Sequence, residues 1–94
     1  MRRGNSYSIP IGGQEVEVTA LPMRYSTFGD AYDSRELFEA AGVPVSLDTA
    51  ENFEVAIFAP SDFARRFEGA TSRFKKVPKR GVKLAAIIER TVAK

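Results

Sequence analysis

The feature that most constrains the fold is a stretch of alternating residues around two adjacent glycines. Residues 6–20 alternate apolar and polar side chains on both sides of Gly12-Gly13. Two adjacent glycines supply the positive φ angles of a two-residue turn, so this segment predicts a β-hairpin. The turn sets a register that places four apolar residues on one face: Tyr7, Ile9, Val16 and Val18. Pro10 lacks an amide N–H, so the first strand should lie at an edge of the sheet.

The middle of the chain predicts a loop, a short helix and a strand. Residues 21–29 are rich in large apolar groups but carry no clear periodicity, which favours a loop. Asp33-Ser-Arg-Glu36 has the spacing of a capping box, and Gly42 is a typical C-terminal stop, so a short helix is predicted between them. Residues 53–58 alternate with period two, as strands do.

The last third of the chain predicts two helices. Pro60-Ser61-Asp62 is a typical helix start, and four apolar residues then recur at helical spacing: Phe63, Phe67, Ala70 and Phe74. Residues 82–92 predict a terminal helix with an inward face of Leu84, Ala85, Ile88 and Val92. The alternative is a hairpin arm in which residues 73–77 and 82–87 are strands joined by the turn at Pro78-Lys-Arg-Gly81.

The chain of 94 residues is long enough for one domain only. We therefore predict a single α+β domain over residues 1–94, in which residues 1–5 form a basic N-terminal tail. Its core is a small antiparallel sheet built on the N-terminal β-hairpin, with two or three short helices packed on one face.

Residue types that commonly carry catalysis are missing. The sequence contains neither cysteine nor histidine, which removes thiolate nucleophiles, thiolate metal sites and imidazole bases. Acidic residues 30, 33, 36 and 39 are spaced along a predicted helix start, where the helix dipole accounts for them, and they match no metal-binding template. We predict a non-catalytic protein without cofactor, metal or small-molecule substrate.

A modest net charge of +2 conceals two opposed halves. Residues 1–60 contain four basic and nine acidic side chains, whereas residues 61–94 contain ten basic and three acidic ones. Between Arg65 and Lys83 the only acid is Glu68. This basic segment is the predicted contact surface, with these residues binding a protein or nucleic acid: Arg65, Arg66, Arg73, Lys75, Lys76, Lys79, Arg80 and Lys83.

A second predicted contact is apolar. Met23, Tyr25 and Phe28 are residue types that are enriched at protein interfaces, although a small sheet also needs such groups to close its core. The aromatic residues Phe67 and Phe74 could stack on bases if they are exposed, but their helical spacing favours the core. The basic segment carries no helix-turn-helix, zinc-finger or RNP-type signature.

Two functions follow from these observations. The first is an interaction or assembly subunit that binds a protein partner or copies of itself through complementary charges, as a small viral or phage accessory protein would. The alternative is a nucleic-acid-binding module that uses residues 65–83. No apolar run follows the basic residues 1–5, and no stretch is long enough to span a membrane. We therefore expect a protein of the cytoplasm, or one assembled in a host cytoplasm, with no membrane partner.

Overall fold

A computed structural model describes residues 6–93, so the predicted tail 1–5 lies outside the described residues. Their order is β1 (Ser6–Ile11), β2 (Gln14–Tyr25), α1 (Phe28–Ala40), β3 (Ser46–Thr49), β4 (Val55–Pro60), α2 (Ser61–Thr71) and α3 (Gly81–Ala93). The strands form one antiparallel sheet in the order β1-β2-β4-β3. The predicted α+β fold is confirmed, with three helices packed on one side of the sheet.

The N-terminal hairpin has the predicted register. Tyr7 is opposite Val18, and Ile9 is opposite Val16. Both turn glycines have positive φ, 59° at Gly12 and 83° at Gly13, which only glycine adopts without strain. Strand β1 is at the edge of the sheet, as the proline at position 10 predicted.

The sheet curls strongly towards the face that carries no helix. In a flat four-stranded sheet the two edge strands lie about 14 Å apart, three spacings of about 4.8 Å. Here the Tyr7 hydroxyl on β1 is 3.0 Å from the Ser46 hydroxyl on β3, the opposite edge. The Tyr7 ring stacks on Phe58 of β4, with 4.8 Å between the ring centroids. The curl therefore lets the sheet bury part of this face against itself.

The prediction of a loop over residues 21–29 is wrong, because β2 continues to Tyr25. Between Ala20 and Arg24 the strand has two more residues than the facing stretch of β4, and the register shifts there. The Arg24 guanidinium donates to the carbonyl oxygens of Leu21, at 2.7 Å, and Met23, at 3.2 Å. This bulge hides the strand pattern in the sequence, and such bulges also increase the twist of a sheet.

Two other boundaries differ from the predictions. Helix α1 begins at Phe28, five residues before the predicted capping box, because the Thr27 side chain accepts a hydrogen bond from the Asp30 amide. Strand β4 begins at Val55 rather than at residue 53. Residues 55–59 are all buried because helices cover one face of β4 and the curled sheet covers the other.

The main core lies between the sheet and the helices. Three aromatic rings meet in its centre, with centroid distances of about 6 Å: Phe38, Phe63 and Phe67. Helix α3 packs on α1 and α2, so the terminal helix is confirmed and the alternative hairpin arm is wrong. Its buried face consists of Leu84, Ile87, Ile88 and Thr91, whereas the predicted core residue Val92 is largely exposed.

Candidate anion-binding cleft

A cleft of about 650 Å³ opens between α2 and α3. Its size falls within the range of small-molecule pockets. We call it the arginine cleft, and it is lined by Arg66, Gly69, Ala70, Arg73, Phe74, Arg90 and Thr91. From position 66 to position 73 the lining residues follow the i, i+3, i+4, i+7 spacing of one helix face, continued just past the end of α2. Two of the predicted contact residues, Arg66 and Arg73, therefore meet at one site.

The charge of the arginine cleft is strongly positive. Three arginines line it, and the acidic neighbours in sequence, Glu68 and Glu89, do not. In the described part of the chain, none of the three arginines forms an ion pair. Arg73 and Arg90 lie near helix C-termini, where cations offset the helix dipole. Each helix C-terminus is equivalent to about −0.5 elementary charge, so the two termini together offset about one of the three arginine charges. The cleft therefore keeps a net charge of about +2.

Phe74 forms one wall of the arginine cleft, contrary to the prediction that it belongs to the core. Helix α2 ends at Thr71, so the chain leaves the helical path before residue 74. The Phe74 amide donates to the Thr71 carbonyl at 3.0 Å, and the ring is 41% exposed. Its side chain is therefore available to a ligand, while its backbone is held by the end of the helix.

The rest of the predicted basic surface lies on residues 72–80, which we call the basic loop, and on the first turn of α3. The exposed cations after Arg73 are Lys75, Lys76, Lys79, Arg80 and Lys83. Among the side chains that the structure describes, those of residues 6–50 and 52–93, no ion pair ties any of them to an acidic group. The ion pairs of these residues therefore do not dock the basic segment on the acidic half of the same chain.

The basic loop is anchored through its backbone. The Lys79 carbonyl accepts hydrogen bonds from the Tyr25 hydroxyl, at 2.7 Å, and from the Ser34 hydroxyl, at 2.5 Å. Tyr25 and Ser34 are both buried. The ammonium group of Lys79 lies 5.6 Å from the centroid of the Tyr25 ring, within cation–π range. The anchor thus fixes the end of the basic loop and leaves its charged groups at the surface.

The buried environment changes the titration of Tyr25. Burial raises the pKa of its hydroxyl above the ordinary value of 10.0, and the Ser34 hydroxyl and the Arg80 charge oppose this effect in part. Tyr25 therefore stays protonated throughout the physiological range and acts as a hydrogen-bond donor.

Other predicted contact residues have different surroundings. Arg65 lies on α2 but does not line the arginine cleft, and it pairs with Asp62 at 2.6 Å on the exposed side of that helix. Met23 and Tyr25 belong to the buried core, so in this fold they close the helix-covered face of the sheet. Of the three predicted apolar contacts, Phe28 is the one with an exposed side chain.

Arg90 is the lining arginine that was not predicted from the sequence. It lies in the last turn of α3, outside the dense basic segment, and only the packing of α3 on α2 brings it to Arg66 and Arg73. The acidic residues of α1 do not form a metal site: among the described residues no three possible ligands converge. None of the helices within residues 6–93 is both long enough and apolar enough to cross a membrane.

Comparison with known proteins returns no match to a family model, a curated protein or a solved structure.

Proposed function

We propose that this chain is a non-catalytic protein that binds the phosphate backbone of a nucleic acid through the arginine cleft and the basic loop. The observation that carries the proposal is the convergence of three arginines, none of which forms an ion pair among the described residues, on one cleft whose lining contains no acidic residue. Guanidinium groups bind phosphates in a planar, often bidentate geometry, which makes arginine a frequent residue at phosphate sites.

The basic loop extends this surface beyond the arginine cleft. It connects the end of α2, at the cleft, to the start of α3, whereas Arg90 lies near the other end of α3. Arg90 is nine positions after Gly81, which corresponds to about 14 Å along the helix axis. The cations of the basic loop and Arg90 lie at the two ends of this stretch of α3. Such a spacing suits an extended polyanion better than a single small anion. Each phosphate that they neutralise releases counterions, which makes the affinity depend steeply on salt.

A matched pair of arginines on α2 tests this proposal. Arg66→Gln and Arg65→Gln remove the same charge from adjacent positions, but only Arg66 lines the arginine cleft. Fluorescence anisotropy with a labelled 12-nucleotide oligo(dT) at low salt measures the affinity of each variant. Arg66→Gln should weaken binding at least about threefold more than Arg65→Gln. The proposal fails if the native chain binds neither the oligonucleotide nor a duplex of the same length, or if the two variants bind equally.

Assembly through complementary charges is a second candidate, and one observation on α1 favours it. Phe28 and Tyr32 lie one turn apart and are both about half exposed, and the neighbouring Asp33 and Glu36 are exposed as well. This mixed apolar and acidic face would suit the basic surface of a second copy. Light scattering at low salt separates the two functions, because assembly predicts a mass that rises with protein concentration without nucleic acid.

A further inference from the structure

Small residues, Gly69 and Ala70, form the floor of the arginine cleft, and the fold itself does not require the glycine. Gly69 lies inside α2, and a Cβ atom built there meets no atom within 4 Å. Its φ is not in the left-handed region that favours glycine. Glycine inside a helix costs about 1 kcal/mol relative to alanine, so this position lowers helix stability without relieving any contact or strain. Together with Ala70 it leaves room beside Arg66 and Arg73.

An aromatic wall stands beside this open floor. Phe74 is part of the same lining, and its backbone is fixed by the hydrogen bond to Thr71. Phosphate binding alone does not need an aromatic side chain or an open floor. Proteins that bind single strands combine cations that follow the backbone with aromatic rings on which bases stack.

We infer that the arginine cleft holds one unstacked base of a single-stranded nucleic acid against Phe74, while its arginines contact the adjacent phosphates. This inference rests on the proposed function and adds the form of the nucleic acid and the role of the ring. In a duplex each base is already stacked and paired, so entry into the cleft would cost a few kcal/mol of unstacking. The cleft should therefore favour single strands over duplexes.

Two substitutions of Phe74 test the inference. Phe74→Leu keeps the apolar bulk and removes the ring, so the affinity for oligo(dT) should fall about 5- to 150-fold, the range expected for one lost stacking interaction. The affinity for a duplex of the same length should change less than twofold. Phe74→Trp keeps an aromatic ring and should retain the affinity for oligo(dT). Because the chain has no other tryptophan, stacking of a base should also quench the fluorescence of that residue.

Filling the cleft is an independent test. Gly69→Leu should reduce the affinity for oligo(dT) at least about fivefold, whereas Gly69→Ala, which adds one methyl group, should reduce it less than twofold. Thermal melts identify any variant that fails to fold, and such a variant is replaced by Phe74→Met or Gly69→Met.

The outcomes separate this inference from the proposed function. The inference is wrong if oligo(dT) and the duplex bind with similar affinity and Phe74→Leu changes the two affinities by the same factor or not at all. Binding of the phosphate backbone would then still stand. If neither nucleic acid binds, the proposed function fails and the inference fails with it. Tighter binding of poly-glutamate than of oligo(dT) would overturn both in favour of an acidic protein partner.

Discussion

At the scale of single residues, the position of the basic loop depends on two buried hydroxyl groups that share one acceptor. Tyr25 and Ser34 both donate to the carbonyl oxygen of Lys79. A net contribution of about 1 kcal/mol is usual for one such bond. Because the acceptor keeps one donor when the other is removed, the cost of losing either hydroxyl should stay in this range.

The first prediction concerns Tyr25. Tyr25→Phe should lower the free energy of unfolding by about 1 kcal/mol, because it removes one buried hydrogen bond and leaves the ring in the core. Tyr32→Phe is the matched control, since the Tyr32 side chain is half exposed, and it should change the free energy by less than about 0.5 kcal/mol. Urea unfolding measures both values, and equal effects would show that the anchor does not stabilise the fold.

The second prediction concerns alkaline pH. The pKa of Tyr25 is raised in the folded state, so the folded chain retains a proton that the unfolded chain loses above about pH 10. The stabilising contribution of Tyr25 is therefore complete below pH 10 and is lost as the pH rises through its folded pKa. Urea unfolding at pH 9 to 11 should show a steeper loss of stability in the native chain than in Tyr25→Phe. If the stability of the native chain and of Tyr25→Phe falls equally with pH, burial does not raise the pKa of Tyr25.

At the scale of elements, two glycines differ in backbone conformation but not in surroundings. A Cβ atom meets nothing within 4 Å at either Gly69 or Gly81. Gly69 lies within α2, whereas Gly81 starts α3 with a φ of 78°. Substitution by alanine at these two positions therefore reports on the backbone alone.

The third prediction follows from that pair. Gly69→Ala should raise the free energy of unfolding by up to about 1 kcal/mol, and the Tm by about 4 to 8 °C, because alanine is the better helix former. Gly81→Ala should lower the free energy by about 1 kcal/mol or more, because alanine is strained at positive φ. Thermal melts of both variants show whether each substitution raises or lowers the stability. A loss of stability in Gly69→Ala would mean that the fold needs glycine there.

The elements that could be predicted from the sequence are those whose signals are local. The hairpin was predicted with its register because the turn glycines and the alternation around them lie within one short stretch. The missed start of α1 also had a local signal, because Thr27 and Asp30 have the spacing of a helix cap. The continuation of β2 past Ala20 could not be found in this way, since the extra residues of the bulge are defined only by pairing with β4.

The candidate site was predictable only in part for the same reason. Its composition could be seen in the dense basic segment, which contains Arg66 and Arg73. Its third arginine, Arg90, and the exposure of Phe74 depend on where α2 ends and on how α3 packs against it. Helical spacing carries no information about the residue at which a helix stops, so Phe74 was assigned to the core.

At the scale of the whole molecule, most of the acidic and basic groups belong to different elements. The acidic residues Glu15 and Glu17 lie on the exposed face of the hairpin, and others lie on the outer side of α1. The basic groups lie on the basic loop and around the arginine cleft. A chain of nearly neutral net charge can therefore still present a local cluster of cations to a polyanion.

The salt dependence of oligo(dT) binding tests the central claim most directly. Single-strand binding should lose affinity with a slope of about −0.7 per neutralised phosphate in a plot of log K against log salt. A triple variant in which Arg66, Arg73 and Arg90 are replaced by glutamine should therefore have a slope shallower by about 2 than that of the native chain. An unchanged slope, or binding that does not respond to salt, would contradict the assignment of the arginine cleft as a phosphate-binding site.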